Sequence, residues 1–188
     1  TQVIDGQEFL PYLCEPDGKG DFKVRDEFER LPASQTKLDK VLREFADLKP
    51  SRKEKLYATG LERGNQSVGY VALSTIFVRE HNRLADGLAR KHPGWSDERL
   101  FQTARIINIV LELKLIVHEY INHILGVDLF RLDHRFAEKE HWYRANWMSV
   151  EFDLLYRWHA LAPDGIEIDG RVVRPKEFRN NNALLEKY

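Results

Sequence analysis

A tyrosine and a histidine stand three residues apart in EFDLLYRWHALAPD, residues 151–164. Phe152, Leu155, Tyr156 and His159 recur at the spacing that places side chains on one face of a helix. That face is apolar except for a phenol and an imidazole. An imidazole buried there costs on the order of a few kcal/mol unless its nitrogens find partners. One solution is a core histidine bonded to a backbone carbonyl. The other is a metal ligand, since a neutral imidazole suits iron or zinc. Haem accounts for more of the stretch. One proximal histidine holds its iron, and its flat apolar ring explains the aromatics and leucines alongside. Zinc needs further ligands. His118 and His123 are spaced to point to different faces and do not form an HExxH pair. A tyrosine one turn from a haem ligand lies near the ring edge. There it can lose one electron and become a radical able to take a hydrogen atom from a substrate. The alternative is a packed core tyrosine with a satisfied hydroxyl.

Several elements must position these residues. Asp5-Gly6 inside TQVIDGQEFL predicts a hairpin. Residues 14–34 are polar, with glycine and proline, and predict a long loop. Ser34 or Thr36 caps an expected helix to Leu48, with Leu38, Val41, Leu42 and Phe45 on one face and Pro50 ending it. A second helix is expected from about Ser67 to Lys91. The third is capped by Ser96, carries Asp97 and Glu98 in its first turn and stops at Gly126. Its apolar residues from Leu100 to Leu125 cover almost every face, which predicts burial on several sides. Residues 127–143 read as irregular. A helix from about Arg144 to Leu161 carries the Tyr–His pair and ends at Ala162-Pro163. Asp169-Gly170 predicts a second hairpin, and PKEFRNNNALLEKY one or two short helices. The fold class is mainly α with two small β-hairpins.

Composition narrows the function classes. The 188 residues suffice for one domain with a core. A net charge of −1 from interspersed acids and bases provides no footprint for nucleic acid. The single cysteine excludes an intrachain disulfide and cysteine-based metal sites, and favours a reducing, cytoplasmic compartment. The opening TQVIDGQEF lacks the basic start and apolar run of a signal peptide. The longest apolar run, IINIVLELKLIV, is interrupted by Glu112 and Lys114 and is too short to span a membrane. The sequon Asn65-Gln66-Ser67 reads as a loop and not as a glycosylation site.

Three blocks give the sequence a family resemblance. EFDLLYRWHALAPD resembles the proximal segment of the animal-type haem peroxidase superfamily, in the branch of cyclooxygenases, fatty-acid α-dioxygenases and linoleate diol synthases. TIFVREHNRLADGLARKHPGWSDERLFQTARIINI and FRNNNALLEKY resemble two further segments of that branch, and TQVIDG resembles a strand before them. The likeness covers most of Val68 to Glu186. It implies haem b, with His159 as proximal iron ligand and Tyr156 as the radical-forming residue. Phe152 and Leu155 would line a fatty-acid channel, with Ile121 and Ile124 at neighbouring wall positions. Tyr120 would hydrogen-bond the radical tyrosine. Read without the likeness, Tyr120, Ile121 and Ile124 are ordinary core residues. Arg79, Glu80, His81, Asn82 and Arg83 match the superfamily's REHNR, where buried polar groups between helices need partners. His81 is not expected to be a ligand.

Arg157 and Leu125 depart from cyclooxygenases. Arginine occupies the first position in α-dioxygenases and diol synthases, and a smaller residue occupies the second in cyclooxygenases. Both differences loosen the case for a true cyclooxygenase and leave the oxygenase class intact. The resemblance also implies that the distal histidine precedes residue 1. The chain is thus expected to be a proximal-side fragment, residues 1–188, of a partial haem-peroxidase-like helical domain, with the rest of its own catalytic domain as partner. Three functions compete. The first is a haem-dependent fatty-acid oxygenase with peroxidase activity, using fatty acid, peroxide and dioxygen. The second is a haem peroxidase of small reductants. The third is a cofactor-free helical scaffold.

Overall fold

Asp5-Gly6 and Asp169-Gly170 each turn a hairpin. In the computed structural model, both residues of each pair have positive φ: 49° and 80° in the first, 51° and 72° in the second. Two consecutive left-handed residues make the turn whose twist suits paired strands, and Asp-Gly reaches that conformation at low steric cost. The structure describes residues 1–28, 45, 47–60, 64–133, 148–156 and 163–179. The chain divides into two units, Thr1–Arg83 with Asp164–Tyr188, and Leu84–Pro163.

In the first unit, β1 (Gln2–Ile4) pairs antiparallel with β2 (Gln7–Phe9). The expected long loop instead contains a hairpin, β3 (Cys14–Pro16) with β4 (Phe22–Val24). The polar stretch between these strands made them hard to see. Asp17 closes their turn by accepting from the backbone N–H groups of Lys19 and Asp21 at 2.7 and 3.0 Å. Pro50 opens a short helix, α1 (Pro50–Lys53), where a missing N–H costs nothing. The expected helix from residue 34 to Leu48 lies almost wholly outside the described residues.

Residues 10–13 run beside 56–58, with Leu13 donating to the Leu56 carbonyl and Ala58 to the Pro11 carbonyl. Phe9, Leu10, Tyr57 and Val71 form the buried cluster, with Ile4, Tyr12 and Val78 packed against it. Val71 comes from α2 (Val68–Lys91), which matches the expected bounds. The REHNR segment of α2 ties down the first hairpin. Arg79 donates to the Glu8 carbonyl and to Gln7 Oε1, and its guanidinium lies over the Phe9 ring. Asn82 donates to Glu8 Oε2 at 3.0 Å, and Arg83 makes a paired contact with Glu80. Asn65 is buried, with its amide bonded both ways to the Tyr57 backbone at 2.9 Å. The loop expected at this sequon is a short 3₁₀ turn, Gly64–Gln66. β5 (Ile166–Ile168) pairs with β6 (Arg171–Val173), and α5 (Pro175–Phe178) follows, burying Phe178.

In the second unit, Ser96 caps α3 (Asp97–Lys114), accepting from the Arg99 N–H. The helix does not stop there. It widens into a π-helical stretch, Leu115–Ile121, then resumes as an α turn, Asn122–Leu125, which ends at Gly126 with φ 68°. Start and stop are those expected, but the widened stretch is new. The expectation of burial on several sides is not met among the described residues. Ile106, Ile109, Leu113, Leu115 and Leu125 are all exposed. Ser149 caps α4 (Val150–Leu155), accepting from the Phe152 N–H. That helix begins several residues later than the expected Arg144. It also ends sooner, because Tyr156 has φ −81° and ψ 49° and leaves the helical path. No described helix is long and apolar enough to cross a membrane. The architecture is mainly α, with three small hairpins among the described residues where two were expected.

Candidate active site

The phenol of Tyr156 stands at the C-terminal end of α4. Its ring stacks on Phe152, one turn earlier, with centroids 4.9 Å apart and planes 13° from parallel. Its hydroxyl shares a hydrogen bond of 2.8 Å with the hydroxyl of Tyr120. Tyr120 comes from the π stretch, 36 residues earlier in the chain. The pair therefore depends on two elements meeting, one capped by Ser149 and one interrupted by a π turn. The bond to Tyr156 is the main reason that the Tyr120 phenol holds its proton above the ordinary tyrosine range; desolvation and repulsion act the same way.

The other expected positions fall less evenly. Ile121 follows Tyr120 and is half-buried, whereas Ile124 lies in the next α turn and is exposed. Leu155 is 82% exposed. His159 and Arg157 lie outside the described residues. Of the face expected from Phe152 to His159, the described part is Phe152 stacked on Tyr156, with Tyr156 at the end of the helix.

A second cluster backs Tyr120 and was not anticipated. Asn122, 8% exposed, accepts through Oδ1 from the N–H groups of Leu129 and Phe130 at 3.1 and 2.9 Å. Its Nδ2 lies within reach of the His118 carbonyl, Asp128 Oδ1 and the Phe130 carbonyl, at 2.9–3.2 Å. His118 Nε2 accepts from the Leu132 N–H at 2.8 Å. His118, Asn122 and His123 border one open concavity of about 600 Å³ with Asp128 and Arg131. Both histidines border this concavity. Among the described residues no three His, Cys, Asp or Glu side chains cluster as a metal site. The available sequence signal for this cluster was an asparagine inside an apolar helix four residues before its glycine stop.

Comparison with known proteins decides the family. Residues 15–186 match the profile of the animal haem peroxidase family. The chain belongs to that family. Prostaglandin G/H synthase 1 of Rattus norvegicus is 35% identical over 173 residues, covering 92% of this chain and 28% of the relative. Prostaglandin G/H synthase 2 of Cavia porcellus is 36% identical over 133 residues, covering 70% and 22%. The Bos taurus form of synthase 2 is 36% identical over 130 residues, covering 69% and 22%. These similarities place the chain in the cyclooxygenase-like branch of the family. It spans about a quarter of the length of these relatives.

Proposed function

We propose that this chain forms the proximal-side part of a haem-dependent fatty-acid oxygenase with peroxidase activity, in which Tyr156 carries a radical. The observation supporting this reading is the 2.8 Å hydroxyl–hydroxyl bond between Tyr120 and Tyr156. A phenol that must gain and lose a hydrogen atom repeatedly needs its oxygen held in one direction. The Tyr120 hydroxyl supplies that hold, and the Phe152 ring limits rotation of the Tyr156 ring.

The residues present also fit a haem. Leu154 beside Tyr156 is exposed and apolar, as a side chain that a porphyrin covers would be. His159 would hold the iron. When bound, haem supplies the oxidising power, and the protein supplies binding and orientation. Tyr156, once oxidised by one electron, gives its phenolic proton to water and becomes a neutral phenoxyl whose oxygen stays hydrogen-bonded to the Tyr120 hydroxyl. The resulting phenoxyl takes a hydrogen atom from a fatty-acid carbon, which restores the phenol and leaves a carbon radical. Dioxygen adds to that carbon, and the peroxyl radical so formed takes a hydrogen atom from the Tyr156 hydroxyl, which leaves a hydroperoxide and regenerates the phenoxyl. Phe152 and Leu155, with Ile121 and Ile124, would line the path of the acyl chain.

The test uses Tyr156→Phe in the complete protein. Fatty-acid oxygenation should fall to background while peroxidase turnover with a small reductant persists. If both persist, Tyr156 is structural and does not carry the radical; peroxidase turnover without any fatty-acid oxygenation in the unsubstituted protein would make it a peroxidase of small reductants. Haemin added to the complete protein should give a Soret band that His159→Ala abolishes. Absence of such a band in the unsubstituted protein would instead support a cofactor-free scaffold.

A further inference from the structure

We propose that Asn122, together with His118, is a positioning residue for the tyrosine pair: it clamps residues 128–132 against the π stretch and so holds Tyr120 where its hydroxyl meets Tyr156. The π stretch, Leu115–Ile121, is a conformation that apolar sequence alone does not favour over an α-helix. Something outside the helix must hold it. Asn122 is the residue at which the chain returns to α geometry, and its buried side chain makes contacts with five groups. Its amide reaches the His118 carbonyl inside the π stretch, then Asp128 and Phe130 across the loop. Its carbonyl oxygen takes the N–H groups of Leu129 and Phe130. His118 closes the far end by accepting from Leu132. The loop is therefore fastened on both sides of Tyr120, at 118 and at 122. Reversion of the stretch to plain α-helix would rotate Tyr120 by about 100°, one residue's worth of helical turn, and carry its hydroxyl away from Tyr156.

The catalytic value of this clamp rests on Tyr156 being the radical-bearing residue; its mechanical role does not. The test therefore reads Tyr120 directly, without haem or substrate. In the complete protein, Tyr120 ionisation is isolated by ultraviolet difference titration against Tyr120→Phe. Asn122→Leu should lower the Tyr120 ionisation to the value seen in Tyr156→Phe. Combining Asn122→Leu with Tyr156→Phe should lower it no further, since both remove one bond. Hydrogen exchange at residues 126–132 should speed up in parallel, with helix content kept. If Asn122→Leu fails to fold, Asn122→Asp decides. It keeps an acceptor for Leu129 and Phe130 but loses the amide donors and sets a carboxylate against Asp128. Release of the loop with Tyr120 titrating as in the unsubstituted protein would overturn the proposal, because the clamp would then hold the loop alone. Loss of oxygenase activity plays no part in either outcome.

Discussion

The hydroxyls of Tyr120 and Tyr156 are bonded to each other while both rings remain about two-fifths exposed. Cys14 is treated in the opposite way. It is 4% exposed, and burial pushes its thiol up to about 11, against the smaller opposing pull of Lys53 and Arg25. Thiolate is the reactive form, so little of it exists near neutral pH. Cys14 is therefore expected to resist alkylation at about pH 8 in the native protein and to react at the rate of a free thiol once the protein is unfolded. Mass spectrometry of iodoacetamide-treated samples with and without denaturant checks this. Rapid native labelling would show that the β3–β4 hairpin opens freely.

At the scale of elements, polar side chains do much of the fastening. Asn65 satisfies both backbone groups of buried Tyr57. Asn65→Ala leaves those groups without these bonds and should cost about 2 kcal/mol, read as a lower urea midpoint with unchanged slope. The β3–β4 hairpin is fastened through carboxylates. The Asp17 carboxyl is held below its ordinary range by the N–H groups of Lys19 and Asp21. That of Asp21 is held down by buried Lys53, then by the Phe22 N–H. Groups with depressed folded pKa values stabilise the fold above about pH 4 and lose that contribution as pH falls through their folded values. Acidification below about pH 4 should thus loosen residues 17–22 before it disturbs α2. Hydrogen exchange measured across that range checks the order, and simultaneous loss of both would contradict it.

At the scale of the whole molecule, the apolar surface left open on α3 and its continuation is large. Ile106, Ile109, Leu113, Leu115 and Leu125 are all exposed. Apolar side chains left open in this number mark places where other protein or a ligand packs. We expect the 188 residues alone to bind a hydrophobic dye and to take up haemin weakly. The same residues within a chain of the relatives' length should take up haemin strongly. Soret titrations of the two samples distinguish the cases. Tight haemin binding by the 188 residues alone would show that they complete the pocket themselves.

Much of the scaffold was legible in the sequence, because its signals are local. Asp-Gly turns, the Ser96 cap, the Gly126 stop and the bounds of α2 depend on backbone sterics and hydrogen bonds within a few residues. The motifs around Tyr156 were enough to point to the family, since REHNR and a downstream YRWH combine residue types that packing alone does not require. The β3–β4 hairpin was missed because charge hid its alternation. The π stretch, the clamp at Asn122 and the early end of α4 were also out of reach. A π turn pays for itself only through contacts made elsewhere, here with a loop several residues on and a tyrosine 36 positions away. Spacing could place Tyr156 on a helix face; the meeting of two hydroxyls at 2.8 Å was decided by tertiary structure, because it is a relation between elements that no local propensity encodes.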